Sequence, residues 1–168
     1  MLGQGAASGA SPGDDTPVWL VADQRLTITT GAGSGALALY LSKDWSRPQP
    51  TIARAIVTIH GLERSADIAR TIAEVGLARS GLDPDSVLLI EPQFLDDVDV
   101  AALHLPADTL HWSHTGWEGG DDAHGLQPIR SFAALDAILV RLADRTTFPA
   151  LRNVVVALHS GSGQLVQR

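Results

Sequence analysis

The chain has 168 residues, 45% of them hydrophobic and 18% charged, enough for one domain with its own core. A formal net charge of -7, with no basic cluster to offset it, argues against a protein that holds nucleic acid electrostatically. Cysteine is absent, which removes disulfides, thiolate metal sites and a cysteine nucleophile together.

Met1 to about Asp15, "MLGQGAASGASPGDD", is small and polar, without the basic and apolar regions of a signal peptide, and reads as a disordered leader. Residues 16–168 read as a single domain. "PVWLVADQRLTITT" predicts two short strands around Asp23-Gln24, "GAGSGA" (Gly31 to Ala36) a turn, and "LALYLS" a half-buried strand with Leu37, Leu39 and Leu41 on one face. "KDWSRPQP" is a Pro-rich loop. "RAIVTIHG" is a continuous apolar run ending in glycine, as in a strand covered on both faces. A helix follows from about Ser65 to Arg79, capped by Ser65 and closed by Gly81.

"SVLLIEP" is a second fully apolar strand, expected to end at Pro92. A long irregular stretch then runs from Gln93 to about Arg130. Ser131 is expected to cap a second helix, with Phe132, Leu135, Ile138, Leu139 and Leu142 at helical spacing. "NVVVAL" is the third apolar strand. Alternation of apolar strands with helices predicts an α/β fold with a mostly parallel sheet, antiparallel at its first strands, and flanking helices. No apolar run approaches the roughly 18 residues of a membrane span. Oligomeric state leaves no mark in the sequence.

The chemistry gathers at the end of the last strand, in "NVVVALHSGSGQLVQR". A strand that turns sharply into a helix through small residues holds a serine in an exposed pose, and the helix N-terminus offers an N–H to an oxyanion. Ser160 suits this better than Ser162, which would set bulky Gln164 where a small residue is needed. Ser160 also leaves Gly161 to donate the N–H. About a hundred residues upstream, His60-Gly61 ends an earlier apolar strand, where a loop can present a second N–H to the same oxyanion.

On "AIVTIHG" and "VVVALHSGSGQLVQR" the chain resembles the alpha/beta-hydrolase family. The intervening "EPQFLDDVD", "HLPADTLHWSHTGWEGGDDA" and "SFAALDAILVRLADRTTFPAL" are similar to a little-characterised bacterial and fungal branch of it. The likeness runs from about Pro17 to the last residue. It implies that the chain is the N-terminal part of an alpha/beta-hydrolase fold and that Ser160 is the nucleophile of a serine hydrolase. It further implies that Leu62 and Gly161 supply the oxyanion-hole N–H groups, and that His60, with Gly61, supports the oxyanion loop structurally rather than acting as base. The branch's elbow reads "AGHSAGGQ" or "AGHSGGGQ". Here it reads "ALHSGSGQ", with Leu158 and Ser162 in place of two glycines.

The family order is Ser, then Asp or Glu, then His. Neither an acid nor a histidine follows Ser160, so both are expected beyond Arg168 and the chain as given is expected to be an inactive fragment. The substrate expected is a small-molecule ester, thioester or amide, with no cofactor. The other reading is a non-catalytic, hydrolase-like binding or interaction protein.

The stretch from His104 to His124 holds four histidines, Asp121, Asp122, Trp112 and Trp117. An ordered excursion over the mouth of the site, pinned by its two tryptophans, is preferred to a metal site at His111 and His114 with an aspartate, and Trp112 and Trp117 are further expected to form an apolar wall for an acyl or leaving group. "GAGSGA" precedes a strand rather than a helix, so it is a turn and not a dinucleotide loop. "FLDDVDV", with Asp96, Asp97 and Asp99, reads as a solvated loop rather than a calcium site.

Overall fold

A computed structural model of the chain describes residues 16–158. The expected leader, Met1 to Asp15, and the expected elbow and its helix, His159 to Arg168, lie outside the described residues. Among the described residues five strands form one mixed sheet in the order β1-β2-β4-β3-β7. These are β1 (Gln24–Thr30), β2 (Gly33–Leu41), β3 (Arg54–Ile59), β4 (Val87–Gln93) and β7 (Asn153–Leu158). The sheet is not mostly parallel: β1/β2 and β2/β4 pair antiparallel, while β4/β3 and β3/β7 pair parallel. The short tie Gly31-Ala32 turns β1 back on β2, so most of "GAGSGA" is strand.

Period-two alternation sends side chains to two layers. Leu37 and Leu39 of β2, Val57 and Ile59 of β3, and Leu88 and Ile90 of β4 join the larger core with Ala134, Ile138 and Leu142 of α4 (Ser131–Ala143). Ala38 and Tyr40 face the other way, toward Ala66 of α1 (Ala66–Ser80). The two crossover helices therefore cover opposite faces. Gly81 ends α1 in the left-handed conformation at φ 74°, as the sequence suggests. Ser65 is its N-cap residue, as expected, but its side chain makes no capping bond and its hydroxyl donates instead to the Glu63 carbonyl at 3.3 Å.

Other departures have local causes. Pro17–Asp23 is not a strand but a strap held by side chains: Asp99 accepts the Val18 N–H, and Gln93 bonds both the Ala22 N–H and the Leu20 carbonyl. β4 runs one residue past Pro92. Its ladder with β3 stops at Val57↔Ile90, so no parallel partner stands opposite the proline. Arg130, not Ser131, is the N-cap of α4, and the Ser131 hydroxyl donates instead to the Trp117 carbonyl at 2.6 Å. Leu139 is exposed, so the buried stripe of α4 is narrower than its spacing suggests. The stretch after Gln93 holds four short elements: β5 (Leu95–Asp96), α2 (Asp97–Leu103), β6 (His111–Trp112) and α3 (Gly116–Gly119). β7 pairs with β3 alone among the described residues, and Val154 and Val155 on it are exposed.

Candidate functional site

Parallel strands deliver their following loops to one end of a sheet. Here the β3/β7 register reaches Ile59↔Leu158, so the His60–Gly61–Leu62 segment leaves the sheet beside the end of β7. A cleft of about 510 Å³ opens there. Gly61, Leu62, Glu63 and Ser65 line its upper end, Ala157 and Leu158 its β7 side, and Ile68 and Ile72 of α1 its lower wall. Leu158 is half-buried and packs against the larger core.

His60 is 2% exposed and wedged between strands. Its Nε2 accepts the Phe94 N–H at 2.9 Å, so the ring proton sits on Nδ1, which donates to the Gly61 carbonyl at 2.7 Å. The ring meets Trp117 edge-on at 5.0 Å between centroids. Burial pushes its pKa down to about 4, with the Arg64 guanidinium acting in the same direction and the Gly61 carbonyl and Asp99 carboxylate opposing it. A neutral imidazole with both nitrogens committed holds a loop and is no proton shuttle.

Trp112 and Trp117 are not a pocket wall. Both are 0% exposed. Trp117 stacks on Phe94 at 5.1 Å and 13°, Trp112 lies 5.2 Å from the same ring, and neither lines the cleft. β6 pairs with β5 at Leu95↔His111 and Asp96↔Trp112, which turns the expected excursion inward and buries its rings beneath the site.

The acidic stretch is only partly solvated. Asp99 is 0% and Asp96 5% exposed, and the two form a capping box at the start of α2. Asp97 is exposed and accepts from His124 Nδ1 at 2.8 Å. His111 and His114 face different carboxylates: His111 Nε2 lies 3.4 Å from Asp97, and His114 Nδ1 lies 3.6 Å from Asp96. Among the described residues no group of three or more His, Asp or Glu side chains is arranged to hold a metal.

The sequence reading missed Arg64. It is 2% exposed, pairs with Asp99 at 2.8 Å, and donates to Thr16, Leu62 and His114. The signal was present as two short motifs, an arginine four residues after His60 and the D-x-x-D of Asp96 and Asp99. Only the fold brings them together. No protein-family model, curated protein or solved structure matches this chain.

Proposed function

We propose that the protein is a serine hydrolase of alpha/beta-hydrolase type, acting by acyl transfer on a small-molecule ester, thioester or amide. Ser160 Oγ attacks the carbonyl carbon, and the resulting oxyanion accepts the Leu62 and Gly161 N–H groups. Collapse expels the alcohol, thiol or amine, and water then hydrolyses the acyl-serine. The observation that carries this reading is the register Ile59↔Leu158, which sets the His60–Leu62 loop beside the strand end from which "HSGSGQ" continues. The mixed sheet, antiparallel at β1 and β2 and parallel from β4 through β7, with crossover helices on opposite faces, supports it. So does His60, held neutral and bonded to the loop it would support. Among the described residues the cleft is lined by one histidine, His60, and one acid, Glu63; both His60 ring nitrogens are already committed, so a different histidine, oriented by an acid, would take the Ser160 proton and pass it to the leaving group.

The test uses the protein expressed from its complete reading frame. Fluorophosphonate labelling at Ser160 and hydrolysis of p-nitrophenyl esters are expected. Ser160→Ala should abolish labelling and lower kcat by about a thousandfold or more. Equal labelling of the variant, or none of the folded protein, overturns the reading. Leu158, half-buried under the expected elbow where the resembling branch has glycine, favours a non-catalytic binding protein instead, and absent labelling is the result that reading expects.

A further inference from the structure

The loop after β3 is built around a buried ion pair. Arg64 Nε donates to Asp99 Oδ2 at 2.8 Å and Nη2 to Oδ1 at 3.3 Å, a two-pronged contact between side chains that are 2% and 0% exposed. Nη2 also donates to the Thr16 carbonyl at 2.8 Å, and Nη1 to His114 Nδ1 at 3.0 Å. Asp99 further accepts the N–H groups of Val18 and Asp96, both at 2.8 Å. A buried pair of this kind adds little net stability over apolar side chains of the same volume. Arg64 also sits at φ 55°, a left-handed conformation that favours glycine. Stability alone accounts poorly for either feature, and strain of this sort points to a geometric duty.

That duty is visible in the backbone. The Arg64 N–H donates to the Gly61 carbonyl at 3.0 Å, and His60 Nδ1 donates to the same oxygen at 2.7 Å. Arg64 Nη1 reaches the next carbonyl, that of Leu62, at 3.3 Å. One residue thus holds the carbonyls on both sides of Leu62. The Gly61–Leu62 peptide unit is planar and trans, so fixing the Gly61 oxygen toward the buried His60 ring turns the Leu62 N–H the opposite way, away from the core. We propose that Arg64 is the positioning residue for the Leu62 N–H, with Asp99 and the Thr16–Ala22 strap as its anchor; the use of that N–H as an oxyanion donor rests on the hydrolase reading. Arg64 touches no reacting atom. It sets the direction of a group that does.

The test compares wild type, Arg64→Lys and Asp99→Asn in the protein from its complete reading frame. Lysine keeps the charge but lacks the fork. Asparagine weakens the anchor while leaving Arg64 its other acceptors, so a readout survives if one variant fails to fold. By NMR, the Gly61 carbonyl and Leu62 amide resonances should move, while the indole resonances of Trp112 and Trp117 stay in place. In the kinetics, kcat should fall about tenfold or more with KM nearly unchanged. The preference for an oxo-ester over its thiono analogue should shrink, an effect that mere loss of folded protein does not produce. Unmoved Gly61 and Leu62 resonances in a folded variant overturn the proposal whatever the activity. Moved resonances in a protein whose wild type cleaves no ester support the clamp and sink the hydrolase reading instead.

Discussion

At the scale of single residues, the two buried tryptophans separate packing from hydrogen bonding. Both are fully enclosed around Phe94, but Trp117 Nε1 donates to the His114 carbonyl at 3.1 Å, whereas Trp112 Nε1 has no partner among the described residues. Replacement by phenylalanine removes similar volume at each. Trp117→Phe is therefore expected to destabilise by about 1 kcal/mol more than Trp112→Phe, since it alone removes a hydrogen bond, to the partly buried His114 carbonyl. Urea denaturation of the two variants checks the difference. That the two rings pin the stretch is legible in "HWSHTGWEGG", but their full burial and their different hydrogen bonding are not, because polar neighbours flank both. The β5–β6 pairing that buries the rings is a contact between segments, with no local periodicity to announce it.

At the scale of elements, length decided what was legible. The two long crossover helices and the three apolar strands announce themselves by period and composition, and all five appear. The elements of two to seven residues between Gln93 and Arg130 do not, because each depends on partners elsewhere. α3 is the clearest case. It closes at Gly120, whose φ is 86° and where an added Cβ would come 2.3 Å from the Phe132 ring. Gly120→Ala is expected to destabilise by about 2–4 kcal/mol, from conformational strain and overpacking together. Gly81→Ala, at φ 74° with nothing within 4 Å, carries the conformational part alone, about 1 kcal/mol. Thermal or urea denaturation of the pair isolates the steric contribution.

At the scale of the whole molecule, two buried groups tilt stability against pH in opposite senses. Glu91, 1% exposed with neither carboxylate oxygen hydrogen-bonded among the described residues, is pushed up from 4.5 to about 8 by burial, against the pull of Arg70 and with the help of Glu74. A raised acid contributes stability that is whole below 4.5 and lost as pH rises through about 8. His60, pushed down from 6.5 to about 4, contributes stability that is whole above 6.5 and lost as pH falls through about 4. The slopes oppose each other between pH 4.5 and 6.5. Each is at most about 1.4 kcal/mol per pH unit. Denaturation across pH should show a near-plateau over that range and a decline from 6.5 to 8. Glu91→Gln should shrink the decline, leaving the smaller part due to Glu118, whose carboxyl burial also raises, and unmask more of the rise in stability from pH 4 to 6.5 that His60 imposes. A sequence with glutamate between isoleucine and proline in an apolar run hints that the acid is buried. The register that seats it beside Tyr40, under α1, comes only with the sheet.

That sheet also divides. β4 parts from β3 after Val57↔Ile90 and stays with β2 as far as Gln93, while β3 stays with β7 as far as Leu158. In the gap stands the His60 ring, joined to Phe94 on one bank and to its own loop on the other. Mechanically the imidazole is a rivet through a split seam. Among the described residues the β1-β2-β4 half and the β3-β7 half share four paired positions below it. Through it, and through Gln93 of β4, whose Nε2 donates to the Arg64 carbonyl at 2.9 Å, the tip of β4 is tied to the loop that carries Gly61 and Leu62.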